Sequence, residues 1–152
     1  MIYLVHHGEA VGPEIDPMRP LSERGRTAVL LVADEAARRG TKPEAIWHSG
    51  KLRARQTAES FWKLCQPSAT LTVERGLQPT DPPAWIRDRL IGDVRDLMLV
   101  GHMPNLERLY RLLIGEDEQT SAARFPLHGI VALESDGGGW KETWRISPRA
   151  RE

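Results

Sequence analysis

The chain has one cysteine in 152 residues, no surplus of either charge and no long apolar run. The lone Cys65 excludes an internal disulfide and a cysteine-built zinc cage, and it fits a reducing, cytoplasmic setting. Lys and Arg total 21, as do Asp and Glu, so no global field draws in nucleic acid or an anionic membrane. Any anion site has to be assembled locally. No stretch approaches the ~20 apolar residues of a membrane span, and the N-terminus lacks the basic-then-apolar pattern of a secretion signal. Internal repeats and low-complexity linkers are missing too. The length predicts one domain over residues 1–148, with a flexible tail at 149–152.

What is present alternates between two periods. Ile2–Val5 (IYLV) and Leu97–Val100 (LMLV) are short continuous apolar runs of the kind that form buried strands. Ala45–His48 and Thr70–Val73 read as two more. Between them lie helical segments: one that follows Ser22 and stops at Gly40, then Arg53–Leu64, Pro82–Leu90 and Leu106–Ile114. Gly129–Ser135, a glycine-rich turn at Asp136–Gly139 and the run WKETWRI predict an antiparallel hairpin. The whole order predicts an α/β three-layer sandwich, a mostly parallel sheet flanked by helices with the hairpin at one edge.

In such sheets ligands bind outside the carboxyl ends of the strands. The residues at those ends are His6-His7-Gly8, then His48-Ser49-Gly50 leading to Arg53, then Gly101-His102. Adjacent histidines are hard to explain as packing, because consecutive side chains on an extended backbone point to opposite faces. Histidines and an arginine thus converge on one rim from separate parts of the chain.

Three motifs in order, HHGEA, SGKLRARQTAE and VGHMPNL, resemble the histidine phosphatase superfamily, whose usual signatures are RHG, RAxQTA and GH. The compact length, the segment RPLSERG (Arg19–Gly25) and the Pro-Asn after the last motif are most similar to its small phosphohistidine phosphatases of the SixA kind. The resemblance implies a phosphoglycerate mutase-like sandwich, no cofactor and no metal. It also implies a phosphorylated partner, either a protein carrying phosphohistidine or a small phosphorylated substrate. By motif position His7 is the nucleophile, with Arg53 and His102 as its catalytic partners and phosphate ligands. The chemistry suits those residue types. A neutral imidazole attacks phosphorus directly and splits one hard step into two. Arg53 offers a planar fork of donors to the phosphoryl oxygens, which lysine cannot copy. Gly8 is expected to let the backbone approach the phosphate closely, and the start of the helix near Pro104 to lend its positive end.

The chain departs from the pattern at His6, where the family usually has a phosphate-binding arginine. Imidazole is shorter and only partly charged at neutral pH. Losing one charge-assisted bond that tightens in the transition state costs on the order of 2–4 kcal/mol. Three outcomes stay open: a slow phosphatase, compensation by Arg19, whose counterpart in the small phosphatases comes near the phosphate, or phosphate binding without turnover. His6 and Arg19 therefore join Gly8, Arg53 and His102 as expected phosphate ligands. The leaving-group acid has two candidates, Glu9 beside the nucleophile and Asp81 in the loop QPTDPP. A small phosphomonoester is the alternative substrate, although a phosphoramidate needs less help because imidazole nitrogen protonates more readily than an alkoxide. Arg55 is expected to face away from Arg53. His48 and His128 are read as ordinary satisfied or surface histidines, and Cys65 as core filler.

Overall fold

The computed structural model describes residues 1–116 and 124–149. Its elements are β1 (Ile2–His6), α1 (Glu23–Arg38), β2 (Ala45–His48), α2 (Leu52–Cys65), β3 (Thr70–Val73), α3 (Ala84–Leu90), β4 (Leu97–Gly101), α4 (Asn105–Ile114), β5 (Ile130–Asp136) and β6 (Gly139–Ile146). They build a six-stranded sheet in the order β3-β2-β4-β1-β5-β6. β3, β2, β4 and β1 run parallel, and β5 and β6 add antiparallel at the β1 side. The α/β sandwich with its edge hairpin matches the sequence expectation. Of the expected tail, residues 150–152 lie outside the described residues.

Strand alternation assigns each residue to a layer. Tyr3, Val5, Ile46, Met98 and Val100 share one face with Val29, Val32 and Ala33 of α1 and Ala54, Ala58 and Phe61 of α2. Ile2, Leu4, Trp47, Leu97 and Leu99 face the other way, toward Ile86 and Leu90 of α3 and Leu106, Leu109 and Leu113 of α4. Strands buried on both faces read as continuous apolar runs, which is why IYLV and LMLV show no polar alternation. Each fully buried side chain of this size contributes about 1.5–3 kcal/mol.

Local signals fix the helix starts that frame the site. Ser22 is extended (φ −66°, ψ 164°) and its Oγ accepts from Gly25 N at 2.9 Å, capping α1. α1 passes so close to the segment after β1 that a Cβ on Gly25 would overlap the Glu9 carbonyl oxygen. No described helix is long and apolar enough to cross a membrane.

Candidate active site

Register alone brings the two key histidines together. β1 and β4 are paired neighbours, with His6 opposite Gly101, so His7 and His102 leave the sheet side by side. By alternation both continue the face that packs on α1 and α2, and α2 begins with Leu52 and Arg53 at that same end. The His7 and His102 rings are 4.9 Å apart.

The hydrogen-bond partners of each ring decide which nitrogen carries the proton. His7 Nδ1 lies 2.7 Å from the Gly8 carbonyl. A carbonyl only accepts, so Nδ1 holds the hydrogen and the Nε2 lone pair is free. Burial, against the bond to Gly8, brings the His7 pKa down to about 4, with Arg53, His128 and Arg19 adding repulsion. The ring is therefore neutral at pH 7, the state a nucleophile needs. His102 Nε2 lies 2.6 Å from Ser49 Oγ, which also accepts from Lys51 N at 3.3 Å. That contact engages Nε2 and leaves Nδ1 as the ring nitrogen open to a further partner. His102 Nδ1 is buried without a partner, and so is Arg53 Nε. Buried polar atoms without a partner are rare and point to a partner outside the chain. Burial lowers the His102 pKa to about 3 and also lowers that of Arg53, where Arg19 adds a second push.

One turn of α2 ties two other segments of the site to Arg53. Arg53, Gln56 and Thr57 stand at i, i+3 and i+4, on one helix face. Gln56 Oε1 accepts from Leu21 N at 2.7 Å and so tethers the segment that carries Arg19. Thr57 Oγ1 donates to the Arg53 carbonyl at 2.8 Å and accepts from Gly8 N at 3.0 Å. Arg19 sits at φ 49°, its Nε donating to the Val11 carbonyl at 3.1 Å. Its charge presses down the pKa values of His7, His102 and Arg53, so it acts on the same cluster.

Several of the expected site residues have partners within the chain. Gly8 gives no open backbone to a phosphate: its N–H is taken by Thr57, and a Cβ there would overlap Val29 Cγ2 of α1. Its small size serves helix packing. Glu9 accepts from Ser22 Oγ (2.9 Å) and from Arg24 through Nε (3.2 Å) and Nη2 (2.6 Å). The Arg24 bonds lower its pKa and favour the ionised carboxylate. Asp81 Oδ2 accepts from Gln78 N at 3.0 Å, and its carbonyl accepts from Asn105 Nδ2 at 2.7 Å. Its carboxylate closes a loop. The first N–H groups of α4 are also occupied, Asn105 N by the Pro79 carbonyl at 3.0 Å and Leu106 N by that of His102 at 2.9 Å. Arg55 pairs with Glu59 on the exposed side, Cys65 is buried, and His48 accepts from Gly50 N at 3.1 Å, as read from the sequence.

His128, read from the sequence as a satisfied or surface histidine, has its ring Nδ1 2.7 Å from the His7 carbonyl. Its ring stacks on His6 at 4.8 Å and 11°. The donor atoms of His6, His7 and His128 lie within 4.8 Å of one another, a spacing that invites a metal. Tautomer chemistry argues for an anion instead. His6 Nδ1 accepts from His128 N at 2.8 Å, which puts the ring proton of neutral His6 on Nε2 and removes the lone pair a metal needs there. Burial brings the His6 pKa to about 2, with His7 and His128 adding repulsion. Ser49, Gln56, Thr57 and His128 were invisible as a group in the sequence. Only the i, i+3, i+4 spacing of RARQTA signals that Gln56 and Thr57 share the face of Arg53.

No protein-family model matches the chain. An uncharacterized protein of Picosynechococcus sp. is 34% identical over 112 residues, spanning 69% of this chain and 67% of that protein. Among solved structures, an Agrobacterium tumefaciens protein assigned as the phosphohistidine phosphatase SixA superposes with a TM-score of 0.80 at 25% identity, over 97% of each chain. The protein histidine phosphatase SixA complexed with tungstate gives a TM-score of 0.80 at 22% identity, over 97% of this chain and 96% of that one. The sandwich is the phosphoglycerate mutase-like fold of these structures.

Proposed function

Because the chain belongs to the histidine phosphatase superfamily, we propose that it is a phosphatase that removes the phosphoryl group from phosphohistidine in a protein, through a covalent intermediate on His7. The observation that carries this reading is the His7 Nδ1 contact of 2.7 Å to the Gly8 carbonyl, which leaves Nε2 as an oriented lone pair in a neutral ring. In the first step Nε2 attacks phosphorus. The bond from phosphorus to the substrate imidazole breaks, its electron pair stays on that nitrogen, and the imidazole takes a proton from water. Arg53 and the Nδ1–H of His102 hold the equatorial oxygens, where charge builds in the transition state. In the second step water attacks phosphorus, the electron pair returns to Nε2, and orthophosphate leaves. A relative with this fold is complexed with tungstate, a tetrahedral oxyanion of the same shape.

Phosphohistidine is favoured over a phosphomonoester by what the carboxylates do. Glu9 is held by Arg24, and Asp81 Oδ2 is used by the Gln78 backbone N–H to close a loop, so neither contact marks out a leaving-group acid. An imidazole leaving group takes its proton from water without such help. The single Cys65 is in keeping with a cytoplasmic site of action.

The deciding experiment incubates the protein with a phosphohistidine-bearing protein and with an aryl phosphate, beside His7→Ala. Turnover of the phosphohistidine protein, abolished in His7→Ala, and an acid-labile phosphoryl group trapped on His7 are the expected results. Full activity in His7→Ala removes the covalent route. Faster turnover of the aryl phosphate moves the substrate to a small phosphoester. Tight phosphate binding with no turnover above the His7→Ala background makes the protein a binding module.

A further inference from the structure

His128 makes an unusual set of bonds for a residue with no assigned work. It sits at φ 57°, a left-handed conformation that non-glycine residues rarely adopt. From there its backbone N–H donates to His6 Nδ1 at 2.8 Å. Its ring Nδ1 lies 2.7 Å from the His7 carbonyl, to which it can only donate. The next residue completes the clamp, since the Gly129 carbonyl accepts from His6 N at 3.0 Å. The two turn residues thus hold the two consecutive histidines through both backbone and ring.

The backbone N–H of His128 can only donate, so His6 Nδ1 has to present its lone pair. The neutral ring then has one arrangement, with hydrogen on Nε2. Among the described residues nothing accepts from His6 Nε2, although its ring centroid is only 4.4 Å from that of the nucleophile. We propose that His128 is a positioning residue that fixes His6 as an Nε2–H donor to the phosphoryl group, so that a neutral imidazole supplies the oxygen contact usually made by arginine at position 6. This rests on the phosphatase reading above, in that the oxyanion is the phosphoryl group on its way to His7. Hydrogen bonds to the transferring group act most in the transition state. A donor whose direction is set by a backbone amide and a stacked ring loses no freedom when the oxyanion arrives. The left-handed strain at position 128 is the counterpart of that fixed direction.

The test reads tautomers first, on the wild-type chain. Two-bond nitrogen–proton NMR correlations of histidine-labelled protein at neutral pH are expected to show His6 protonated at Nε2 and bare at Nδ1, with the Nε2 proton shifting on tungstate addition. A His6 protonated at Nδ1 overturns the proposal, as does an Nε2 proton indifferent to tungstate. Variants then ask whether the donor position matters. His6→Gln carries an amide at the reach of Nε2, and His6→Asn one at the reach of Nδ1. His6→Gln is expected to bind tungstate more tightly than His6→Asn, and equal affinities count against the proposal. His128→Ala keeps the backbone amide and loses the ring, with an expected loss of about 10- to 100-fold in kcat/KM. His128→Asn tolerates the left-handed backbone and places an amide where Nδ1 was, so it is expected to recover most of that loss. If His128→Asn is no better than His128→Ala, the clamp is not what His128 supplies. Should no form turn over either phosphorylated substrate, the function proposed above fails. The tautomer and tungstate results still decide this inference.

Discussion

Ser49 Oγ and His102 Nε2 are 2.6 Å apart, and the opposite nitrogen of the same ring is buried with no partner. The short contact holds the ring by one nitrogen and leaves the other unpaired. Removing the hydroxyl in Ser49→Ala releases that hold on the ring. The expected result is a fall in kcat of about 10- to 100-fold, with KM changed far less. The direction of the donor is checked at position 102 itself. His102→Asn, with its amide at the reach of Nδ1, is expected to bind tungstate better than His102→Gln.

Thr57 links the segment after β1 to α2 through one hydroxyl, accepting from Gly8 N and donating to the Arg53 carbonyl. Thr57→Val keeps the volume and leaves a buried amide unpaired, which costs about 1–3 kcal/mol. Urea unfolding is expected to show that loss. Activity is expected to fall further than stability explains, because Gly8 also carries the carbonyl that orients His7.

The layers and the pair His7 and His102 were legible because they follow from strand alternation and from the motif positions at strand ends. The apolar runs IYLV and LMLV fixed two neighbouring strands, and the sheet crevice did the rest. Contacts between residues that meet only through loops and turns were not legible. Nothing in the letters Glu9 and Asp81 says that Arg24 and the Gln78 amide occupy them, since those partners meet only through turns. His128 was missed for the same reason. Its place beside His6 depends on an antiparallel return of 122 residues and on a left-handed backbone, and neither has a local sequence signal.

The buried histidines make stability depend on pH. The pKa values of His6, His7 and His102 fall from the ordinary 6.5 to about 2, about 4 and about 3. The unfolded chain therefore binds more protons than the folded one below pH ~6.5, and stability rises with pH in that range. The contribution is complete above ~6.5 and is lost as pH falls toward the folded-state values. Thermal midpoints are expected to drop between pH 7 and 5, before most carboxylates titrate. Replacing His102 with Asn is expected to flatten that slope, and an unchanged slope would falsify this origin.

Arg19 and His6 offer the last contrast, because both stand where the missing arginine is felt. His6 is only 5% exposed and lies between the rings of His7 and His128, so His6→Arg forces a longer charged side chain into a stacked, buried place. The expected result is no gain in activity and lower stability. Arg19 already brings a fixed charge to the cluster, with its Nε held by the Val11 carbonyl. Arg19→Ala is expected to cost on the order of 2–4 kcal/mol in kcat/KM, and Arg19→Lys to recover part of it. The pH profile separates charge from contact. Arg19 helps hold the His7 pKa down to about 4, so the acid limb of kcat/KM is expected well below 6.5 in the wild type. Without Arg19 that pKa rises, because protonating His7 no longer opposes a nearby cation. The acid limb of Arg19→Ala is therefore expected at higher pH than in the wild type. A limb that stays in place while the rate falls would mean that Arg19 acts through contact alone. A rate and a limb that both stay in place would leave the lost arginine uncompensated.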